Sequence, residues 1–281
     1  KGSEIVRMYH SLLGAETYRK GSDLYFDRHD GEAVTIEEFV SAMEDASGRD
    51  LTQFRRWYKQ SGTPVLKVRS AYDATAKTFS LNVEQSCPAT PGQSEKLPFL
   101  IPVKLGLVGA DGADMVLDDA GQTEVVFEVT EASQQLVIEN IDERPVPSLL
   151  RGLSAPVKLD YPYSAEQLAH LMANDSDGFN RWDASQALSL SVLNQLMHDS
   201  LHERPMILDG QLVEAYKALL SDTSLDPAMV ALMLQLPTEA LLHENTDIIH
   251  VTAIHDARSF LRTALAGCLA SQLEAIYHHY N

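Results

Sequence analysis

The stretch Phe54 to Pro64, FRRWYKQSGTP, separates two incompatible periodicities, and that change limits the folds open to this chain more than any other feature. Ahead of it, apolar residues recur at helical spacing. Beyond it, as far as Tyr163, they alternate with polar ones as strands require. Asp50 offers an N-cap, Phe54, Trp57 and Tyr58 fall on one helical face, and Ser61-Gly62 supplies the positive φ that ends a helix. Thr63-Pro64 then removes a donor and forbids continuation. Such a change marks passage from one packed layer to another, so a domain boundary is expected after Ser61.

Four helices are expected before the boundary. The first carries Ile5, Met8, Tyr9, Leu12 and Leu13 and stops at Gly14; the second carries Tyr18, Leu24, Tyr25 and Phe26 and stops near Asp30-Gly31. Thr35-Ile36-Glu37-Glu38 has the form of a capping box opening the third, and the stretch from Asp50 forms the fourth. After the boundary, runs at Val65–Arg69, Phe79–Val83, Val103–Leu107, Val125–Val129, Leu136–Glu139 and Val157–Tyr161 alternate with period two between turn residues. Short strands with no helix-length segment between them predict a two-sheet β-sandwich over residues 62–163, with Pro102 at an edge or bulge. From Ser164 the period is helical again. Ser164, Asp177, Asp209, Asp226-Pro227 and Thr238 open successive helices, and short connections make these pairs that stack as a bundle or a superhelix.

With 22 basic and 40 acidic residues the formal charge is −18, a field that repels phosphate backbones and argues against nucleic acid as a partner. The chain shows neither an eighteen-residue apolar run nor a basic-then-apolar leader, which argues against a membrane partner. Cys87 falls in a strand and Cys268 in a helix, in different expected domains, so a bridge between them is not expected and a reducing, cytoplasmic setting fits. Lys1 opens inside an amphipathic pattern without a cap, and Ile276–Asn281 closes inside another without a stop signal; both ends read as cut from a longer protein.

The most tempting chemical constellation is His198-Asp199-Ser200-Leu201-His202, because histidines four apart on a helix share a face and can reach one zinc ion. A zincin base would need Glu after the first histidine, a third ligand is not apparent, and Glu203-Arg204-Pro205 ends the helix; the pair reads as a solvated helix end. His250 and His255 are five apart, His278 and His279 are adjacent, and His29 lies beside Asp30 in a turn, so none converges. Glu37-Glu38 is explained by its cap, and Glu44-Asp45 reads as a solvated face. Arg55-Arg56-Trp57-Tyr58 reads as a packing cluster, its arginines paired with carbonyls or acids across the boundary. No G-x-S-x-G, Walker, G-x-G-x-x-G or C-x-x-C pattern occurs, leaving acyl-transfer, nucleotide and dithiol chemistry unsupported.

The segments KGSEIVRMYHSLLG from Lys1, YFDRHDGEAVTIEEFVSAMEDASGRDLTQFRRWYKQSGTP from Tyr25, SAPVKLDY from Ser154 and FNRWDASQAL from Phe179 closely resemble the bacterial aminopeptidase N group of the gluzincin zinc aminopeptidase family. The resemblance implies a multi-domain α and β chain. Residues 1–61 would be the helical end of a thermolysin-like catalytic domain, 62–163 a β-sandwich, and 164–281 the start of an α-helical superhelix. It also implies a parent enzyme that binds zinc and removes N-terminal residues from peptides as a monomer. The family's H-E-x-x-H and G-A-M-E-N motifs would precede Lys1, as would its oxyanion-stabilising tyrosine. No catalytic, substrate-binding or metal residue is therefore expected in this segment, which would support the site and be inactive alone. Two other readings use the same residues: a free-standing scaffold binding a protein partner through its sandwich, and a small hydrolase centred on His198 and His202.

Overall fold

In the computed structural model, which describes residues 2–244, 246 and 248–280, the periodicity change becomes a change of secondary structure within one packed body. Helix α1 (Gly2–His29) runs through the expected stop at Gly14 as a kink, with φ 75° and ψ 159° there. Helix α2 (Ile36–Ser47) opens on the expected capping box: Thr35 Oγ1 accepts the Glu37 amide, and Glu38 Oε2 accepts the Thr35 amide at 2.8 Å. The fourth helix is much shorter than its pattern suggested, since only α3 (Arg56–Lys59) is α-helical. Asp50 is spent differently from a long-helix cap: its Oδ1 accepts the Thr52 amide two residues on, and residues 52–55 make turns. Gly62 closes the stretch at φ 98°, in the region that only glycine enters without strain.

Seven strands follow: β1 (Val65–Asp73), β2 (Thr78–Ser86), β3 (Ile101–Val108), β4 (Glu124–Val129), β5 (Ser133–Ile138), β6 (Val146–Leu149) and β7 (Lys158–Asp160). They form the two sheets of the expected sandwich. One has the order β5-β2-β1-β7, with only the β1–β7 pair parallel; the other is antiparallel, β4-β3-β6. Strand β6 went unread because Pro145 and Pro147 break its alternation. Pro102 lies in the central strand of its sheet, against the edge expectation. It is tolerated because β6 pairs only with Leu105–Val108, and the Lys104 amide, on the same side of the strand as position 102, reaches Ser154 Oγ rather than a ladder carbonyl.

The core of this unit runs without a break from helices to sheets: Ile5, Met8, Tyr9, Val40, Met43, Phe54 and Trp57 belong to one buried cluster with Leu66, Leu81, Ile101 and Leu105. Strand β3 is buried on both faces, one of its neighbours being α1. Trp57, 2% exposed, stacks at 4.6 Å on Phe99 and donates its Nε1–H to the Leu100 carbonyl at 2.8 Å. Each such aromatic removes about 150–250 Å² from water, roughly 4–6 kcal/mol of transfer free energy before ordering costs. This compact unit ends at Gly109, resumes at Met115 and closes at Pro162.

The second unit takes Ala110–Asp114 and the chain from Tyr163 onward. It comprises α4 (Ala165–Asn174), α5 (Gly178–Leu201), α6 (Gly210–Ser221), α7 (Pro227–Met233), α8 (Glu239–Glu244), α9 (Val251–Cys268) and α10 (Ala270–Tyr280). The first five starts are those read from the sequence: Ser164, Asp177, Asp209 and Asp226 accept first-turn amides, and Thr238 Oγ1 accepts the Leu241 amide. Helix α9 opens at His250 without a side-chain cap, so no local signal marked it. Helix α5 is the hub, packing against α4, α6, α7 and α9. Its Arg181, 9% exposed, closes the end of α4 by donating to the Met172 and Ala173 carbonyls, and burial holds this guanidinium's pKa below its ordinary value.

Candidate functional site

The histidine pair is built by the last turn of α5. His198 and His202 lie with ring centroids 4.2 Å apart, and His202 Nδ1 is 2.7 Å from the His198 carbonyl oxygen, so that nitrogen carries the proton and donates. Asp199 sits 3.8 Å from His198 Nδ1 and also accepts from Gln195, while Arg204 lies at 4.0 Å. Half of the His198 side chain is exposed. Among the described residues no group of three or more His, Cys, Asp or Glu side chains could hold a metal ion. The pair does not fit a catalytic zinc: one nitrogen is taken by the backbone, the intervening acid is Asp, and no third ligand approaches.

Four of the other histidines weighed from the sequence are equally dispersed: His29 pairs with Glu32 at 3.0 Å, His255 with Glu239 at 3.0 Å, and His278 with Glu274 at 4.0 Å, while His250 is the N-cap position of α9. Cys87, half-buried, and Cys268, exposed, are both free thiols.

The charged cluster at the helix-to-strand change is far better organised. Arg55 grips Glu44 with two parallel bonds of 2.6 and 2.8 Å and reaches Glu37 at 2.7 Å. Glu44 also accepts the Leu51 amide at 2.9 Å. The expectation of a solvated Glu44-Asp45 face is therefore half wrong: Asp45 is exposed and pairs with Arg28, but Glu44 is turned inward as the anchor of Arg55. Hydrogen bonding to Arg55 holds the Glu44 carboxyl below the ordinary range. Beside it Tyr9, fully buried, receives the Tyr58 hydroxyl at 3.3 Å, and burial pushes the Tyr9 phenol up. Arg56 donates to the Pro98 carbonyl. Each of these side chains has a protein partner, and the cluster ties the helices to one another and to the Pro98 loop.

A strained loop follows β6 and is bonded to α1. Leu150 (φ 59°), Gly152 (φ 62°) and Leu153 (φ 52°) all adopt left-handed backbone, at a cost of about 1–2 kcal/mol for each leucine. The intervening Arg151 is fully buried, donating to Ser148 Oγ at 2.8 Å and lying 3.3 Å from Glu124. Gly106 makes the room: a Cβ there would stand 2.3 Å from the Arg151 Cζ. The Gly152 carbonyl so presented accepts Arg7 of α1 at 2.9 Å. The sequence offered no signal for this loop beyond its glycine.

A concavity of about 440 Å³ lies in the second unit between the end of α6, α7 and α10. Its walls are mainly apolar, with Leu219, Leu220, Leu225, Val230, Leu273 and Ile276, and the polar residues lining it include Ser221, Asp222, Thr223 and His279, of which Asp222 accepts from Ser224 and lies 3.5 Å from Arg181.

Comparison with known proteins places the chain in a clear context. Residues 1–58 match the peptidase family M1 domain, residues 62–162 a domain of unknown function with an Ig-like fold, and residues 165–281 a domain of unknown function made of ARM repeats. The chain is 43% identical over 279 residues to the aminopeptidase N of Escherichia coli and 39% identical over 280 residues to that of Haemophilus influenzae. Each alignment covers 99% of this chain and 32% of the relative, so the chain spans about a third of the length of these curated relatives. A crystal structure of Legionella pneumophila aminopeptidase A in complex with aspartic acid superposes with a TM-score of 0.83 at 31% identity, over 97% of this chain and 30% of that one.

Proposed function

We propose, taking as premise that this chain belongs to the bacterial aminopeptidase N group of M1 peptidases, that it is the supporting segment of a zinc aminopeptidase that removes N-terminal residues from peptides. The observation that carries this reading is the collinear match over 99% of the chain, with the peptidase-domain model ending at residue 58. In this reading residues 1–61 are the helical end of the catalytic domain, 62–163 a β-sandwich, and 164–281 the beginning of a helical superhelix. Zinc is held by residues outside this segment, as are the groups that attack and activate the peptide bond. The segment contributes no catalytic, substrate-binding or metal residue, and no step of the reaction is routed through its histidines.

The parent works as a cytoplasmic monomer on peptide substrates, without a nucleic-acid or membrane partner. Two free thiols suit a reducing compartment, and no helix among the described residues is long and apolar enough to cross a membrane. The charge of −18 opposes nucleic acid. The test is to purify residues 1–281 and the longer protein side by side, measure zinc by mass spectrometry, and assay both on aminoacyl p-nitroanilides. The longer protein is expected to hold stoichiometric zinc and turn over substrate while the segment does neither. Zinc-dependent turnover by the segment alone would overturn the assignment.

A further inference from the structure

The two histidines at the end of α5 fail as a catalytic zinc site, yet each is held in the way that a metal-binding imidazole is held. A histidine that ligates through one ring nitrogen almost always donates the other N–H to a carbonyl or a carboxylate, which fixes its tautomer and its orientation. His202 does this through Nδ1, at 2.7 Å from the His198 carbonyl oxygen, and its Nε2 lone pair is left for an ion. The Asp199 carboxylate, 3.8 Å from His198 Nδ1, draws that ring's proton to the same nitrogen. Among the described residues neither Nε2 has a protein partner. Both histidines are exposed, and their rings lie side by side, 4.2 Å apart with 35° between the planes.

We propose that His198 and His202 form a two-point clamp for an exchangeable late first-row divalent ion, bound through the two Nε2 atoms. This is a second ion, apart from the zinc of the reaction, to which the segment gives no ligand, and the inference stands without the aminopeptidase reading. Imidazole pairs select Cu²⁺ most strongly, then Ni²⁺ and Zn²⁺, and give Mg²⁺ and Ca²⁺ none of the oxygen ligands they need. The position favours a cation twice over. His202 is the C-cap of a 24-residue helix, where the last carbonyls carry partial negative charge, and the chain's −18 raises the local concentration of cations. Asp199 orients rather than ligates, since it accepts from Gln195 and lies 4.0 Å from Arg204. With two protein ligands the remaining coordination positions belong to water, so the ion exchanges freely and dialysis removes it.

The test titrates Cu²⁺ into the dialysed longer protein in a non-chelating buffer and reads the bound ion by calorimetry and by electron paramagnetic resonance. The parent is expected to bind one Cu²⁺ more than His198→Gln or His202→Gln, with affinity at that site at least about tenfold lower in either variant. Ions held elsewhere are common to all three proteins and cancel in the difference. The parent's resonance should show two imidazole nitrogens on the added ion, a signal missing from both variants. His255→Gln and His278→Gln, exposed histidines on other helices, should leave the count unchanged. Circular dichroism of each variant confirms that its helices are intact. Equal uptake by the parent and both variants would overturn the proposal. So would loss in only one of them, which would mean an adventitious ion only, on a single imidazole, and so would displacement of the added Cu²⁺ by equimolar Mg²⁺.

Discussion

Replacing Arg55 with methionine keeps most of the stem's volume and removes one side of the charged cluster. The Arg55 and Glu44 side chains are 16% and 24% exposed, so their two parallel bonds are only weakly screened; Glu37, at 45%, adds little. Charge-assisted bonds to a partly buried partner contribute about 1.5–3 kcal/mol, and Glu44 would keep its backbone partner at Leu51. The expected loss at pH 7 is therefore about 2–3 kcal/mol, which moves a urea midpoint by roughly 1 M. The chain has two tryptophans, Trp57 and Trp182, so a Trp182→Phe background makes fluorescence report the first unit alone. The acid dependence carries the sharper test. Because the folded Glu44 carboxyl is depressed, its stabilisation is complete above the unfolded value near 4.5 and is lost as pH falls through the folded value. The gap between parent and Arg55→Met should thus be full at pH 7 and narrow progressively below about pH 4.5. A gap that stays constant to pH 3, or one below about 0.5 kcal/mol at neutral pH, would refute the account of Arg55 as the cluster's anchor.

Gly106→Ala should cost about 2–3 kcal/mol in urea unfolding of the first unit, because the new methyl meets the buried Arg151 guanidinium, which cannot leave without losing Ser148 and Glu124. Ser164→Ala and Asp177→Ala should each cost about 1 kcal/mol, read through Trp182 in the second unit, since each removes the acceptor for a first-turn amide. In the longer protein, His198→Ala combined with His202→Ala should leave zinc stoichiometry and turnover unchanged; loss of the metal would restore the pair as ligands.

The sequence exposed whatever was decided locally. Helix starts at Thr35, Ser164, Asp177, Asp209 and Asp226 were legible because a side-chain oxygen three residues or fewer from an orphan amide needs no tertiary context. Strands with clean alternation were legible for the same reason. Features decided by distant neighbours were hidden. The helix expected from Asp50 shrank to Arg56–Lys59 because Phe54 and Trp57 are held by the sandwich and by the Leu100 carbonyl rather than by a helical repeat of their own. Glu44 read as solvent-facing because only the fold brings Arg55 over it. The Arg151 loop, with leucines at positive φ, violates local preference outright and is held by a buried guanidinium that no sequence pattern announces.

The way α1 is held gives this segment a mechanical task even without a reactive group. The helix is fixed at separate points: Arg7 on the Gly152 carbonyl, Leu12 through its carbonyl to Arg49, and its apolar face in the core shared with β3. Arg49 in turn reaches Glu128 of β4, so the same side chain ties both α1 and the second sheet. A helix pinned at several points cannot slide or rotate on its own, because interdigitated cores respond to strain as units. Residues 1–58 match the peptidase domain and residues 62–162 a different one, yet a single continuous core spans them. The Phe54–Pro64 stretch is thus where both the secondary structure and the family match change, and across it the sandwich acts on the peptidase-like helices as a rigid footing for α1.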